Sequence, residues 1–227
     1  MPRTGGTRRP MSKLLFDFAA STQDDVRRRL DFLVEADKLK GVQRRALLMD
    51  GSRFENSAEH SWHVALAAWL FADYAPDGAD IAHVMRMLLA HDIVEIDAGD
   101  SFLYSAERSD AYAKERQSAQ RIFGMLAPAQ RDHFLQLWEE FEARSSNEAR
   151  FASVFDRMEP ILQNYVNEGS TWKQNHVTYE MVVSKNCHIA EGSQAIWEFV
   201  LFLLNDAVHK GYLPREADCG RETQQSA

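Results

Sequence analysis

The sequence predicts an all-α fold. From Ser12 onward, apolar residues recur at helical spacing in nearly every segment, and alternating Val, Ile and Thr runs bounded by turn signals are missing. The 227 residues suffice for one large domain with a sizeable core, and nothing in the middle of the chain divides it. We therefore expect a single helical bundle over residues 13–215, with a disordered tail at 1–12 and a frayed tail at 216–227.

The expected helices follow one another along the chain, with proline and glycine in most of the gaps between them. A helix that begins near Ser57 is indicated by Asn56 and Glu59, whose spacing is that of a capping box. Gly99 lies just after the end of another helix, so a loop is expected over residues 97–107. The helices cover about 23–38, 57–74, 80–95, 108–126, 128–143, 147–168, 177–188 and 193–211.

Composition excludes several classes of protein. The formal net charge of -8 argues against a scaffold that binds a nucleic acid polymer, although local arginines could hold a small anion. Cys187 and Cys219 are far apart, so neither a disulfide framework nor a thiolate zinc site is expected, and a reducing cytoplasm fits best. Apolar runs fall short of the roughly 18 residues that indicate a membrane span, so no membrane segment is expected.

The strongest sign of chemistry is the pair His91 and Asp92, which follows the largely apolar residues 84–90 and precedes Ile93 and Val94. A buried carboxylate is costly unless it is paired or bound to a metal. An imidazole and a carboxylate that share one divalent ion remove that cost together. The alternative interpretation is a helix-end histidine bonded to a backbone carbonyl, beside an exposed aspartate.

Two further residues could meet this pair from other helices. His60 lies near the start of one apolar helix, and Asp156 lies inside another. Pro160 lacks the amide that would bond the carbonyl of Asp156, so the helix should kink there. His63 competes with His60 as a ligand, and Asp156 could instead face solvent. If the distant segments converge, they form a site for one metal ion.

Two imidazoles and two carboxylates suit Mn, Fe, Co, Ni or Zn, and the two negative charges balance one divalent cation. A water in an open coordination position would lose a proton readily and is the natural nucleophile. Glu95 shares a helical face with His91 and is a candidate general acid and base, although it could be an exposed residue that ends the helix. Asp97 and Asp100 follow, one or both placed to contact hydroxyl groups of a ligand.

The sequence resembles the HD-domain phosphohydrolases, and within them the bacterial 5'-deoxynucleotidases. The resemblance covers most of the chain and depends on residues 55–62 (ENSAEHSW), 91–100 (HDIVEIDAGD) and 156–160 (DRMEP). It implies an HD-superfamily helical bundle with a metal site in its core. It also implies a homodimer that hydrolyses a small phosphorylated substrate, a (deoxy)nucleoside 5'-monophosphate or a similar monoester, to release phosphate.

The resemblance also assigns roles to individual residues. It implies metal ligation by His60, His91, Asp92 and Asp156, and catalysis or substrate contact by Glu95 and Asp100. The arginine that binds the substrate phosphate in this family corresponds to Arg45 by ungapped spacing, or to Arg44 with a shift of one residue. Such a pair in a polar connector could instead simply be solvated. In the bacterial enzymes that arginine is followed by a tryptophan that lines the sugar pocket. In this sequence Ala46 follows Arg45, so the preference for ribose or deoxyribose is not predicted.

Two other functions are compatible with the same motifs. One is a non-catalytic nucleotide-sensing module that keeps the metal for structure. The other is a di-iron oxygenase, since some HD-type sites hold two irons, although the chain offers few further histidines for a second ion.

Overall fold

The computed structural model describes residues 21–101, 103–104 and 111–216, and within these ranges the chain is mainly helical, which confirms the predicted fold class. Three short 3-10 helices cover Asp37–Gly41, Ala72–Tyr74 and His91–Val94. The α-helices are α1 (Ser21–Ala36), α2 (Ser57–Leu70), α3 (Ile81–Ala90), α4 (Glu95–Ala98), α5 (Ala111–Phe123), α6 (Pro128–Ala143), α7 (Asn147–Val166), α8 (Ser170–Gln174), α9 (Tyr179–Asn186), α10 (Ile189–Gly192) and α11 (Gln194–His209). The predicted tails, 1–12 and nearly all of 216–227, lie outside the described residues.

One short antiparallel hairpin departs from the expectation of helices and loops alone. It pairs β1 (Gln43–Leu47) with β2 (Phe54–Asn56). The expected polar connector is therefore a strand, and it was missed because its residues do not alternate between apolar and polar. Successive side chains of a strand point to opposite faces, so Arg44 and Ala46 face the protein while Arg45 is exposed.

Several helix boundaries agree with the predicted ones. The capping box at the start of α2 is present, because the side chain of Asn56 accepts a bond from the amide of Glu59 and the carboxylate of Glu59 accepts one from the amide of Asn56. Helix α7 begins after the capping residue Ser146 and continues through Pro160 to Val166.

Other boundaries need correction. The helix expected over residues 80–95 is α3, and the chain then tightens into the 3-10 helix His91–Val94 and continues as α4, so residues 97 and 98 are helical rather than part of a loop. The short helices α8 and α10 were not expected. The start of the helix predicted at 108 and most of the predicted loop after residue 101 lie outside the described residues.

Helix α7 forms the centre of the main core. Its buried Phe151 and Phe155 belong to a cluster that also contains Val64 of α2, Leu88 of α3 and Leu204 of α11. A second core cluster includes Phe32, Ile93, Ile122, Phe123 and Trp138. Leu88 and Ile93 belong to different clusters, so the segment between them, which carries His91 and Asp92, is held between two cores. Within the described residues, no helix is both long and apolar enough to cross a lipid bilayer.

Candidate metal centre

Three segments bring four donor side chains together. Helix α2 carries His60, the 3-10 helix after α3 carries His91 and Asp92, and α7 carries Asp156. The Nε2 atom of His60 lies 3.2 Å from Oδ1 of Asp156 and 4.0 Å from Oδ2 of Asp92. The Nε2 atom of His91 lies 3.0 Å from Oδ1 of Asp92 and 3.7 Å from Oδ1 of Asp156. The four residues predicted as ligands therefore form one cluster.

The cluster fits a divalent ion. Ligand atoms about 2.0–2.2 Å from one ion lie roughly 3–4 Å from one another, which is the spacing seen here. One ligand atom each from His60, His91 and Asp92 can be chosen so that all three lie within 4.8 Å of one another. The Nε2 atom of His91 is buried and has no hydrogen-bond partner among the described residues, so a donor of the right chemistry is left available.

The hydrogen bond of His91 orients its imidazole. Its Nδ1 lies 2.7 Å from the carbonyl oxygen of Leu88, which can only accept, so Nδ1 carries a proton and Nε2 is the ring nitrogen that faces the cluster. The alternative interpretation of a histidine bonded to a backbone carbonyl is thus correct for one ring nitrogen. The neighbouring Asp92, however, is buried, as is the side chain of Asp156 for the most part.

The competing histidine, His63, contacts a different group. Its Nδ1 lies 3.1 Å from Oε1 of Glu159, whereas His60 reaches Asp156 through Nε2 and Oε2 of Glu159 through Nδ1, the latter at 3.1 Å. Of the two histidines, the structure therefore places His60 against the other donors. Together with Glu55, His63 and Glu159 form a second group of oxygen and nitrogen donors on the flank of the first.

The electrostatics of the cluster favour bound positive charge. Burial alone would lower the pKa of His91, but Asp92 and Asp156 outweigh it and raise that pKa to about 10. Burial and Arg44 also oppose the charged form of His60, yet its carboxylate contacts raise its pKa well above the ordinary value. The pKa of Asp156 is held well below its usual range, because Arg157 and the two histidines outweigh the effect of burial. A cation or protons would balance this carboxylate charge.

Arg44 lies at the edge of the cluster. Its Nη1 atom is 3.2 Å from Oδ2 of Asp92 and 3.6 Å from Oδ1 of Asp100, and its Nε atom is 3.7 Å from Oε2 of Glu55. Burial would lower its pKa, but the surrounding carboxylates raise it, so the guanidinium stays charged. Between the two predicted arginines, Arg44 faces the donors and Arg45 lies on the exposed face of the strand.

Glu95 is buried beside the donors rather than exposed at a helix end. The hydroxyl of Ser57 donates a hydrogen bond of 2.6 Å to its Oε2 atom. Burial, followed by the charge of Asp92, raises the pKa of Glu95 to about 8, while Arg44 and Ser57 oppose the shift. Its carboxyl group can therefore both take up and release a proton near neutral pH.

Asp97 lies apart from these residues. It is exposed and accepts a hydrogen bond of 2.9 Å from Nη2 of Arg121, which also contacts Glu35. The structure therefore brings Asp100, but not Asp97, next to Arg44 and the cluster.

A cavity of about 250 Å³ opens onto the cluster. His91, Asp92, Asp156, Arg44, Glu95 and Asp100 contribute to its lining. Further lining comes from Ala46 and the aromatic residues Tyr104, Phe141 and Trp172. The cavity thus combines a polar end that carries the donors with apolar and aromatic surface, a composition typical of small-molecule sites.

Sequence reasoning missed two residues of this region. Arg157 lines the cavity, its Nε atom lies 3.4 Å from Oδ2 of Asp156, and that atom has no hydrogen-bond partner within the described part of the chain. Glu159 contacts the Nδ1 atom of His60, on the side of the imidazole opposite Asp156. The only available signal was the position of both residues within one helical turn of Asp156.

Comparisons with known proteins identify a family and several relatives of the chain. Residues 36–197 match the model of the HD domain family. The human 5'-deoxynucleotidase HDDC2 is 30% identical over 136 residues, which are 59% of this chain and 65% of the human protein, just under two thirds of its length. The protein of the same name from Dictyostelium discoideum is 27% identical over 154 residues, 65% of this chain and 79% of its own.

Solved structures resemble the whole helical domain. A crystal structure of a "predicted metal-dependent phosphohydrolase" from Magnetospirillum magnetotacticum MS-1 is 44% identical, covers 85% of this chain and 97% of its own, and superposes with a TM-score of 0.82. A conserved hypothetical protein from Pyrococcus furiosus is 22% identical and covers 75% of this chain and 98% of its own, with a TM-score of 0.57, which indicates a shared fold.

Proposed function

The chain belongs to the HD domain family, and from this membership we propose that it is a metal-dependent phosphohydrolase that releases phosphate from (deoxy)nucleoside 5'-monophosphates. The observation that carries the proposal is the convergence of His60, His91, Asp92 and Asp156 beside a charged arginine and a buried glutamic acid. The similarity to proteins named 5'-deoxynucleotidases and to a metal-dependent phosphohydrolase supports the reaction class.

The four donors would hold one Mn, Co, Fe, Ni or Zn ion. Such an ion supplies Lewis-acid chemistry, because it lowers the pKa of a coordinated water and withdraws charge from a phosphoryl oxygen. The carbonyl of Leu88 would keep the proton of His91 on Nδ1, so Nε2 would be the nitrogen that binds the ion once it has lost its own proton.

Arg44 would bind the phosphate. Its guanidinium has a planar pair of donors suited to two phosphate oxygens, and the carboxylates of Asp92 and Asp100 fix its position at the edge of the cluster. Asp100 would then contact a hydroxyl group of the sugar, because it lies next to Arg44 and lines the same cavity. Asp97 does not lie next to Arg44, so this role is not proposed for it.

Glu95 would move the proton. Ser57 donates to Oε2, so Oε1 is the oxygen available to accept a proton from the attacking water and return it to the leaving oxygen. A pKa of about 8 places this group close to the working pH of most enzymes, where a general acid and base transfers protons best.

The substrate is proposed as a nucleoside monophosphate without a commitment to deoxyribose. In the bacterial deoxynucleotidases a tryptophan follows the phosphate-binding arginine, whereas here Arg45 follows Arg44 and Ala46 follows Arg45, so neither assignment of that arginine supplies the side chain expected to select the sugar. Arg45 and Ala46 both line the cavity. Tyr104 and Trp172 provide aromatic surface against which a base could pack.

The test is phosphate release. The purified protein is loaded with Mn or Co and assayed against ribo- and deoxyribonucleoside 5'-monophosphates and other phosphomonoesters, with Glu95→Gln as the matched control. We expect turnover by the wild type and a loss of about 10²–10⁴-fold in the variant. A loaded protein that binds nucleotides but releases no phosphate would be a nucleotide-sensing module instead.

We also propose a homodimer in the cytoplasm. Helix α2 presents Trp62, Leu66 and Trp69 at helical spacing, and each is exposed, which is typical of a surface that contacts another protein. Cys187 is a free thiol, which fits a reducing compartment. Light scattering during gel filtration tests the subunit number, since a dimer has twice the mass of one chain.

A further inference from the structure

We propose that Glu159 is a positioning residue, which holds the imidazole of His60 with its Nε2 atom directed at the metal centre. The proposal shares with the proposed function the assumption that His60 is a ligand. It does not depend on which substrate the protein hydrolyses.

The contact between the two side chains is buried and direct. Oε2 of Glu159 lies 3.1 Å from Nδ1 of His60, with 4% of the Glu159 side chain and none of the His60 side chain exposed. A carboxylate can only accept, so Nδ1 of His60 is the donor. The ring nitrogen that remains is Nε2, which faces Asp156.

Helix geometry explains why one helix supplies both the ligand and its support. Asp156 and Glu159 are three residues apart on α7, so their side chains project from the same face. One reaches Nε2 of His60 and the other reaches Nδ1, and the imidazole is therefore held from both sides by α7.

The other oxygen of Glu159 is also fixed. Oε1 accepts a hydrogen bond of 2.5 Å from the side-chain amide of Gln163 and lies 3.1 Å from Nδ1 of His63. A buried carboxylate is stable only when its oxygens have hydrogen-bond donors. With His60 on Oε2 and these two contacts on Oε1, both oxygens of Glu159 have donors. The contacts on Oε1 thus hold Glu159 in place independently of His60.

Glu159 is the nearer of the two carboxylates that face Nδ1 of His60. The nearest other carboxylate oxygen is Oε2 of Glu55, at 3.5 Å from Nδ1. Removal of the Glu159 carboxylate should therefore allow the ring to rotate or to carry its proton on Nε2, where the proton would point at Asp156 and block ligation.

Glu159 could in principle serve as a ligand itself, because donor atoms of Glu55, His63 and Glu159 lie within 4.8 Å of one another. Two contacts favour the positioning role. Oε1 accepts a hydrogen bond from the side-chain amide of Gln163, and Oε2 accepts one from the imidazole of His60, so each oxygen of Glu159 already serves a neighbouring side chain.

The experiment compares wild type, Glu159→Gln, Glu159→Leu and the control His63→Ala, with Zn²⁺ as a diamagnetic probe. Zn²⁺ affinity and stoichiometry are measured by titration, and ¹⁵N NMR of the histidine side chains reports which nitrogen of His60 binds the ion and how fast Nδ1–H exchanges with water. Circular dichroism and thermal melting verify that each variant is folded.

We expect one ion per chain, bound through Nε2 of His60, with a slowly exchanging Nδ1–H in the wild type. Glu159→Leu should weaken Zn²⁺ binding about 10–100-fold and expose Nδ1–H to rapid exchange. Glu159→Gln keeps an acceptor oxygen and should restore part of the affinity. His63→Ala leaves the Gln163 hydrogen bond to Glu159 in place and should weaken Zn²⁺ binding much less than Glu159→Leu does.

Two results would overturn the proposal. One is a folded Glu159→Leu protein with wild-type affinity and an unchanged Nδ1–H signal. The other is a fall from two ions to one in that variant, because Glu159 would then be a ligand of a second ion. A wild type that binds no ion removes the metal centre as well, whereas one that binds Zn²⁺, Mn²⁺ or Co²⁺ but hydrolyses nothing contradicts only the proposed function.

Discussion

The hydroxyl of Ser57, the first residue of α2, donates a 2.6 Å hydrogen bond to Oε2 of Glu95, the first residue of α4. Both residues are buried, so the bond fixes the carboxyl group at the edge of the cavity. Two helix starts that are 38 residues apart are thereby joined at the group proposed to transfer the proton.

We expect Ser57→Ala to shift the pH dependence of the reaction upward. Burial and then Asp92 raise the pKa of Glu95, and the hydrogen bond from Ser57 lowers it, so loss of the hydroxyl should raise the pKa further. The limb of the kcat/KM profile that reports Glu95 should move to higher pH, and kcat should fall about tenfold. Profiles of both proteins at equal metal occupancy test this, and coincident limbs would contradict it.

Replacement of Arg44 should reduce kcat/KM much more than replacement of its neighbour Arg45. Arg44 is held between Asp92 and Asp100, whereas Arg45 lies on the exposed face of β1. Arg44→Ala should reduce kcat/KM about 10²–10³-fold, because a charged donor to the phosphate is lost. Arg44→Lys should be intermediate, since it keeps the charge without the fork. Arg45 also lines the cavity, but it lies on the exposed face of the strand, so Arg45→Ala should reduce kcat/KM less than Arg44→Ala does, and equal losses in both alanine variants would refute the assignment.

Arg157 should contribute to substrate binding more than to stability. It lines the cavity, its Nε atom has no hydrogen-bond partner among the described residues, and the same atom lies 3.4 Å from Oδ2 of Asp156. We expect Arg157→Met to raise KM for a nucleotide about tenfold, which corresponds to the loss of one charge-assisted hydrogen bond. At full metal occupancy the melting temperature should change little, because the bound ion would also balance the charge of Asp156. A large fall in stability with an unchanged KM would assign Arg157 to support of Asp156 alone.

The helices could be predicted because their signals are local, and His91 and Asp92 could be singled out for the same reason, whereas His60 and Asp156 were joined to them by the family resemblance. Apolar spacing encodes a helix within its own sequence, and the pair His91 and Asp92 stands out inside an apolar segment. The hairpin was not predictable, since the strand Gln43–Leu47 has no apolar alternation and is defined by its pairing with β2. The role of Glu159 likewise depends on His60, 99 residues away, and nothing in its own neighbourhood distinguishes it from other helical glutamates.

Gly192 should be required where α10 packs on α7, the helix that carries Asp156. A Cβ atom at this position would lie 2.4 Å from the carbonyl oxygen of Arg150 and 2.6 Å from Cγ2 of Val154. We therefore expect Gly192→Ala to lower the free energy of unfolding by about 1–3 kcal/mol. Gly41→Ala is the control, because a Cβ there meets no atom within 4 Å, and it should be neutral or slightly stabilising. Urea denaturation of both variants compares them directly.

Metal removal should make stability depend on pH in a defined direction. In the metal-free protein, Asp92 and Asp156 outweigh burial and raise the pKa of His91 to about 10, whereas an unfolded histidine titrates near 6.5. A raised folded-state pKa stabilises the protein fully below about pH 6.5, and this contribution disappears as the pH rises towards 10. The free energy of unfolding of the chelated protein should therefore decline across this range.

The loaded protein should behave differently, because a metal ligand binds best when it is deprotonated. An ion present at about 100 times its dissociation constant should add about 2.7 kcal/mol to the stability, and this gain should be retained or increased as the pH rises from 6.5. Thermal melts with and without chelator over this pH range test the difference. Asp156→Asn serves as the control, since it removes one donor and should shrink the gain from metal. Identical curves for the chelated and loaded wild type would mean that these four side chains do not bind the ion.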